Sequence, residues 1–387
     1  MRIHKLTAVF APILAVSAVS CASNDNKSAE GEKGVGSEKT CQLANPVKVG
    51  AALSLTGAAA PYGKSQKNGL DLAVAQLNDK GGVKYEVSYE DDATDPKQGI
   101  SIFEKFADGG MSVLLGPTLS NAAKVTDPIA QENKVPVLGI SNTAAGITSI
   151  GNYVFRDSLT EAVVIPNTIQ QAKAKLGLKK VVVMYANDDA FTQSGYDAFA
   201  AALAAEKVAV AKTITFSKAD TDFHALLTDA KAENPDAIVV SSLIEAGVPL
   251  VTQARELGIN VPIIGGNGFN TPKLIKDAGA AANNVVVGAA WNQANQTEAN
   301  AGFLDSYKRK FKADPDQFAA QAYTGLLLVD QAVRADCSTD RNAIRDNLAE
   351  IVNMQTPLGN FSFDANRDAV HPPVVYTIKN GKYQLLH

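Results

Sequence analysis

Short β-branched runs alternate with segments whose apolar residues recur every three or four positions, from Val47 almost to the C-terminus. Residues 47–53, 85–91, 111–115 and 136–138 read as strands, with helices over 64–80, 96–108 and 121–133 between them. In the first helix Leu70, Ala73, Val74 and Leu77 form one apolar stripe, and Gly81-Gly82 stops it. Such alternation predicts a parallel sheet with right-handed crossovers. The pattern restarts after Arg156. Helices over 162–175, 192–206, 223–233 and 247–257 are interleaved with strands over 180–185, 208–216, 237–241, 262–265 and 284–289. Two successive series of similar size, without a long linker, predict an α/β protein of two doubly wound parallel-sheet lobes sharing a crevice.

The tail changes character. Helices over 298–312, 317–335 and 341–351, the last capped by Ser338-Thr339-Asp340, precede strands 374–379 and 382–386 joined by the turn Asn380-Gly381.

Hydroxyl-bearing turns follow two of the early strands. Gly116-Pro117-Thr118-Leu119-Ser120 ends one, and Ser141-Asn142-Thr143 ends the next. Ser120 reads as the N-cap of the following helix. Polar turns at the carboxyl ends of neighbouring parallel strands make a ligand crevice.

The 387 residues, 46% of them hydrophobic, suffice for two cores. A net charge of −4 indicates neither a nucleic-acid partner nor an anionic-membrane surface. His4, His224, His371 and His387 lack metal-ligand spacing. At the N-terminus Arg2, His4 and Lys5 precede an apolar run ending in Ala18-Val19-Ser20-Cys21, which looks like a bacterial lipobox. Residues 1–20 are expected to be a lipoprotein signal peptide, with Cys21 receiving the lipid; a plain secretory signal cut near Ala22 is the alternative. Residues 21–43 read as a flexible tether, since 22–40 have hardly an apolar side chain. With Cys21 lipidated, the even pair Cys41 and Cys337 predicts a disulfide, against two separately buried thiols.

No nucleophile elbow, Walker loop or dinucleotide fingerprint is present, and no catalytic set, cofactor or metal is expected. Gly265-Gly266-Asn267-Gly268 lacks the Lys-Ser/Thr of a phosphate loop, and reads as a tight turn or a close backbone approach to ligand. The doublets Asp91-Asp92 and Asp188-Asp189 read as solvated turn carboxylates, because hard cations want six or more oxygens.

Several segments carry a resemblance through their order. They are Leu53-Ser54-Leu55-Thr56-Gly57 with Pro61-Tyr62-Gly63, Asp95-Pro96-Lys97-Gln98, Gly116-Pro117 with Ser120, and Ser141-Asn142-Thr143 with Phe155-Arg156. Later come Asp316-Gln317-Phe318 with Ala322-Tyr323, and Thr356-Pro357-Leu358-Gly359. The chain from about 47 to 386 resembles the leucine/isoleucine/valine-binding family of periplasmic solute receptors for ABC importers. That resemblance implies two lobes joined by three hinge crossovers, near Arg156-Asp157, Ala290-Trp291 and His371-Pro373, closing on an amino acid. The lobes would comprise 44–157 plus 290–371 and 158–289 plus 372–387. Trp291 would be either a cleft wall or hinge packing.

The resemblance also implies site roles. Ser120 and Thr143 would donate to the ligand carboxylate, the Ser141 carbonyl would accept from its ammonium, Tyr62 would cover it, and Phe191 would pack on it from the second lobe; Asn142 belongs to the same loop. Asn267 stands where branched-chain receptors carry a Glu, and Leu243 where they carry a Tyr. Either Glu161 or Glu245 then supplies a carboxylate, or the ligand lacks an ammonium. The expected protein is a non-enzymatic receptor on the outer face of a bacterial membrane, periplasmic or extracellular, anchored only by lipid and partnered by an ABC permease. Its ligand would be a neutral or branched-chain-like amino acid; amides, urea-like compounds or carboxylates are the alternative. A sensor module and an unrecognised hydrolase are the rival classes.

Overall fold

The computed structural model describes residues 31–386. In the first lobe β1 (Val47–Leu53), β2 (Tyr85–Asp91), β3 (Val113–Leu115), β4 (Val137–Gly139) and β5 (Val154–Arg156) form a parallel sheet in the order β2-β1-β3-β4-β5. Helices α1 (Ala60–Lys80), α2 (Pro96–Asp108) and α3 (Ser120–Glu132) connect the first four strands. Leu70, Ala73 and Leu77 of α1 are buried and Val74 partly so. Gly81 and Gly82, both at φ 79°, end the helix in a conformation that a side chain would strain.

The second lobe holds β6 (Lys180–Ala186), β7 (Ala209–Phe216), β8 (Ala237–Ser241), β9 (Ile263–Gly265) and β10 (Val285–Ala289). Its helices are α4 (Glu161–Leu176), α5 (Ala190–Ala205), α6 (His224–Ala232), α7 (Ile244–Glu256) and α8 (Pro272–Ala278). Along β6, Val182, Met184 and Ala186 enter one apolar cluster while Val181 and Val183 enter another. Helices therefore cover both faces of the sheet.

The chain then returns to the first lobe. Helices α9 (Glu298–Phe311), α10 (Gln317–Asp336) and α11 (Arg341–Ala349) lead to a small antiparallel sheet of β11 (Met354–Thr356), β12 (Gly359–Phe363) and β13 (Ala369–Val370). Leu326, Val329 and Val333 of α10 share a core with β1 and α1. Asp340 caps α11 through the Ala343 N–H at 2.9 Å.

Strands β14 (Val374–Lys379) and β15 (Lys382–Leu385) finish the second sheet, in the order β15-β14-β10-β9-β8-β6-β7. Both pair antiparallel, so this sheet is mixed rather than wholly parallel. The hairpin turn Asn380-Gly381 places two consecutive residues at positive φ and cannot carry a crossover. The chain changes sheets after Arg156, after Ala289 and between Val370 and Val374. Trp291 packs at the second of these crossings. Its Nε1 donates to Asn300 and to the Pro357 carbonyl, and its ring meets Phe303 edge-on.

Residues 31–43 depart from the tether reading. The Gly34 N–H donates to the Cys337 carbonyl at 2.7 Å, Val35 and Gln42 exchange backbone bonds, and Cys41 and Cys337 are joined by a disulfide. Glu32 compensates for the lack of apolar side chains by accepting from Ala44 and Asn45. Cys21 and the signal segment lie outside the described residues. No helix among the described residues is long and apolar enough to cross a membrane.

Candidate functional site

The carboxyl ends of the parallel strands in both sheets face one crevice. In the first sheet β1 lies between β2 and β3, so the loops after β1 and β3 diverge there and leave a gap. The same reversal occurs beside β6, between β7 and β8. Tyr62 of α1, Thr118, Leu119 and Ser120 after β3, and Ser141 and Thr143 after β4 line a small cavity from one side. Phe191, Leu243, Asn267 and Gly268 meet them from the second lobe, and Phe318 comes from α10. The cavity is about 20 Å³, roughly room for one water. The lobes must part to admit anything larger.

Direct hydrogen bonds hold them together. The Tyr62 hydroxyl donates to the Gly268 carbonyl and accepts from the Ile244 N–H, each at 2.8 Å. Asn121 donates to Asp189 at 2.6 Å and accepts from the Ala190 N–H at 2.8 Å. Gln317 donates to the Asn267 side-chain oxygen at 3.2 Å.

Ser120 is not the N-cap that its sequence position predicts. Leu119 occupies that place, and Ser120 is the first helical residue. Its hydroxyl accepts the Thr143 and Ala144 N–H groups at 3.2 Å each, so several donors converge on one point. The Ser141 hydroxyl donates to the Thr118 carbonyl at 2.5 Å and accepts from Gln66 at 2.7 Å. Asn142 stays outside the cavity lining. Its amide donates to the Pro117 carbonyl at 2.9 Å, behind the loop, and its side chain packs against Gly139.

Glu161 opens α4 immediately behind the cavity, buried at 1% exposure. One carboxylate oxygen accepts from Asn267 at 2.7 Å and from Thr143 at 3.2 Å. Burial lifts its pKa to about 7, against the lowering effect of those two donors. The glycine turn makes room for it: a Cβ on Gly266 would lie 2.7 Å from a Glu161 oxygen. Glu245 is elsewhere and lines a neighbouring cavity. The acidic doublets also divide. Asp91 and Asp188 serve exposed turns, whereas Asp92 and Asp189 are buried, contrary to the solvated reading, because their strands end inside the inter-lobe contact.

Sequence reasoning missed Thr118, Leu119, Gly268 and Phe318 as cavity residues. Thr118 and Leu119 belong to the hydroxyl-bearing turn, Gly268 to the stretch Gly265-Gly266-Asn267-Gly268, and Phe318 to the segment at the start of α10, so a signal existed for each. Among the described residues no cluster of His, Cys, Asp or Glu has the arrangement of a metal site.

A family profile described as Periplasmic binding protein matches residues 46–382. The chain belongs to that family. Its members are solute-binding receptors, not enzymes. A Leu/Ile/Val-binding protein of Rhizobium johnstonii is 26% identical over 331 residues, covering 83% of this chain and 88% of the relative. Among solved structures, the branched-chain amino acid transporter substrate-binding protein LivJ of Streptococcus pneumoniae, in complex with isoleucine, superposes with a TM-score of 0.83 at 29% identity. The match covers 88% of this chain and 98% of that one. A solute-binding protein of an ABC transporter from R. palustris, in complex with benzoate, gives 0.80 at 25% identity, covering 88% and 96%. The periplasmic binding fold of two α/β lobes is thus common to receptors crystallised with different ligands.

Proposed function

We propose that this protein is the extracytoplasmic receptor of an ABC importer, tethered to a bacterial membrane through lipidated Cys21, and that it encloses an α-amino acid between its lobes. The observation that carries the reading is the buried carboxylate of Glu161 beside the Ser120 and Thr143 hydroxyls. Those groups match the two charges of a zwitterion. Its carboxylate would accept hydrogen bonds from the Ser120 hydroxyl, from the Thr143 hydroxyl turned away from Glu161, and from neighbouring N–H groups. The ammonium would meet Glu161 and the Ser141 carbonyl, so that neither buried charge is left unpaired. Phe191, Leu243, Tyr62 and Phe318 would enclose the apolar part of the side chain. Closure would then seal the ligand and present the closed form to a permease.

A second reading, a ligand without an ammonium such as an amide or an aromatic carboxylate, is favoured by neutral Asn267 and by the benzoate-bound relative. Titration calorimetry of the purified full-length protein against leucine, isoleucine, valine, benzoate and simple amides distinguishes the two. Binding of amino acids alone supports the zwitterion; binding only of compounds without an ammonium removes it. Neighbouring permease and ATPase genes would separate import from sensing.

A further inference from the structure

Leu119 and Leu243 line a second inter-lobe cavity as well, of about 350 Å³. The two spaces therefore share an apolar partition made of two flexible side chains. Beyond it the lining is acidic: Asp92, Asp189 and Glu245, with Lys218 as the only cation among the described lining residues. Asp189 is satisfied, accepting from the Phe191 and Thr192 N–H groups and from Asn121. Asp92 is not. It is 1% exposed; one oxygen accepts from Ser54 and the Thr94 N–H, while the other has no partner among the described residues. Neither carboxylate oxygen of Glu245 has one either. No lysine or arginine among the described residues is ion-paired to any of the three.

Carboxylate oxygens buried without donors are costly, and proteins keep them where a cationic or donor group completes them. A metal ion is a poor occupant: a hard divalent cation wants six or more oxygens, and no group of three or more His, Cys, Asp or Glu among the described residues could hold one. An organic ammonium fits better. It needs few acceptors, and an aliphatic stem can run along apolar side chains to deliver it.

We propose that this cavity is a subsite for the cationic tip of the ligand's side chain, so that the receptor takes an α-amino acid carrying a terminal amine on a flexible aliphatic chain. The inference rests on the amino-acid reading of the cleft, and replaces the neutral side chain expected from the sequence by a cationic one whose apolar stem alone contacts Phe191 and Leu243. Burial also pushes Asp92 upward and Glu245 to about 7, the latter against the attraction of Lys273, which is not ion-paired to it.

Lysine and norleucine test it, because they share a stem and differ by the terminal amine. Calorimetry on the full-length protein should give lysine an affinity about tenfold or more above that of norleucine. Asp92→Asn and Glu245→Gln should each move the lysine-to-norleucine ratio toward one, a readout in which any general loss of closure cancels. Norleucine or leucine binding as tightly as lysine to the wild-type protein overturns the subsite and leaves the amino-acid reading standing. Binding of benzoate or amides with no binding of lysine, norleucine or leucine overturns both.

Discussion

Asn267 donates to Glu161 at 2.7 Å, and this contact brings a neutral side chain and a buried carboxylate together behind the cavity. The turn after β9 therefore does not have to carry the acid itself; α4 brings it. If Glu161 is the ammonium's partner, Glu161→Gln should weaken amino-acid binding by roughly 30-fold or more, the cost of breaking a buried charged pair. Gln retains an oxygen for Asn267, so the loss reports charge rather than packing. Calorimetry with leucine and with a carboxylate lacking the ammonium checks this, the second being expected to bind no more weakly to the variant.

Stability should depend on pH with a definite sign. The folded-state pKa of Glu161, about 7, exceeds its ordinary value of 4.5. Below pH 4.5 the group is protonated in both states, and its stabilising contribution is fully present. That contribution is lost as pH rises through 7, on the order of 3 kcal/mol. Melting temperatures of the ligand-free protein should fall between about pH 5 and 8. Glu161→Gln should flatten the slope, leaving the part of the same sign that Glu245, Asp316 and the other buried aspartates contribute, since burial raises each of them. An unchanged slope in the variant removes the assignment.

Tyr62 closes the cleft through both capacities of its hydroxyl. Tyr62→Phe should leave the ring packed on Phe318 while depriving the Gly268 carbonyl and the Ile244 N–H of partners in the closed form. Each of the two lost bonds costs about 1 kcal/mol, so ligand affinity should drop by roughly 30-fold, chiefly through faster release. Stopped-flow release kinetics beside a melting curve would separate this from a general loss of stability.

The bridge between Cys41 and Cys337 spans 296 positions and pins the segment before β1 to the end of α10. Cys337→Ser should cost roughly 2–5 kcal/mol. It should also expose 31–43 to proteolysis before the lobes themselves unfold. Limited digestion followed by peptide mapping reads both effects.

Lipidation at Cys21 predicts that the wild-type protein fractionates with membranes and that Cys21→Ser is exported in soluble form. The several acyl chains of a bacterial lipoprotein are needed for stable anchoring, since a single chain binds marginally. Equal distribution of the two forms would argue against the anchor.

Local periodicity determines much of this architecture. The limits of β1, β2, β8, β14 and α2 coincide with those readable in the sequence, because the alternation defining a strand or helix lies among adjacent residues. The β5 strand and the β11–β13 sheet, mostly three residues or fewer per strand, are too short to show a period, and pairing alone makes them strands. The hydroxyl-bearing turns were legible because they stand where strands end. The identity of the buried acid was not: Glu161 meets Thr143 and Asn267 at separations of 18 and 106 residues, and only a folded turn with no side chain at Gly266 brings them together. In the sequence Asp92 is indistinguishable from Asp91, and Asp189 from Asp188. Tertiary packing alone decides which member of each pair loses its water, since burial depends on what the opposite lobe covers.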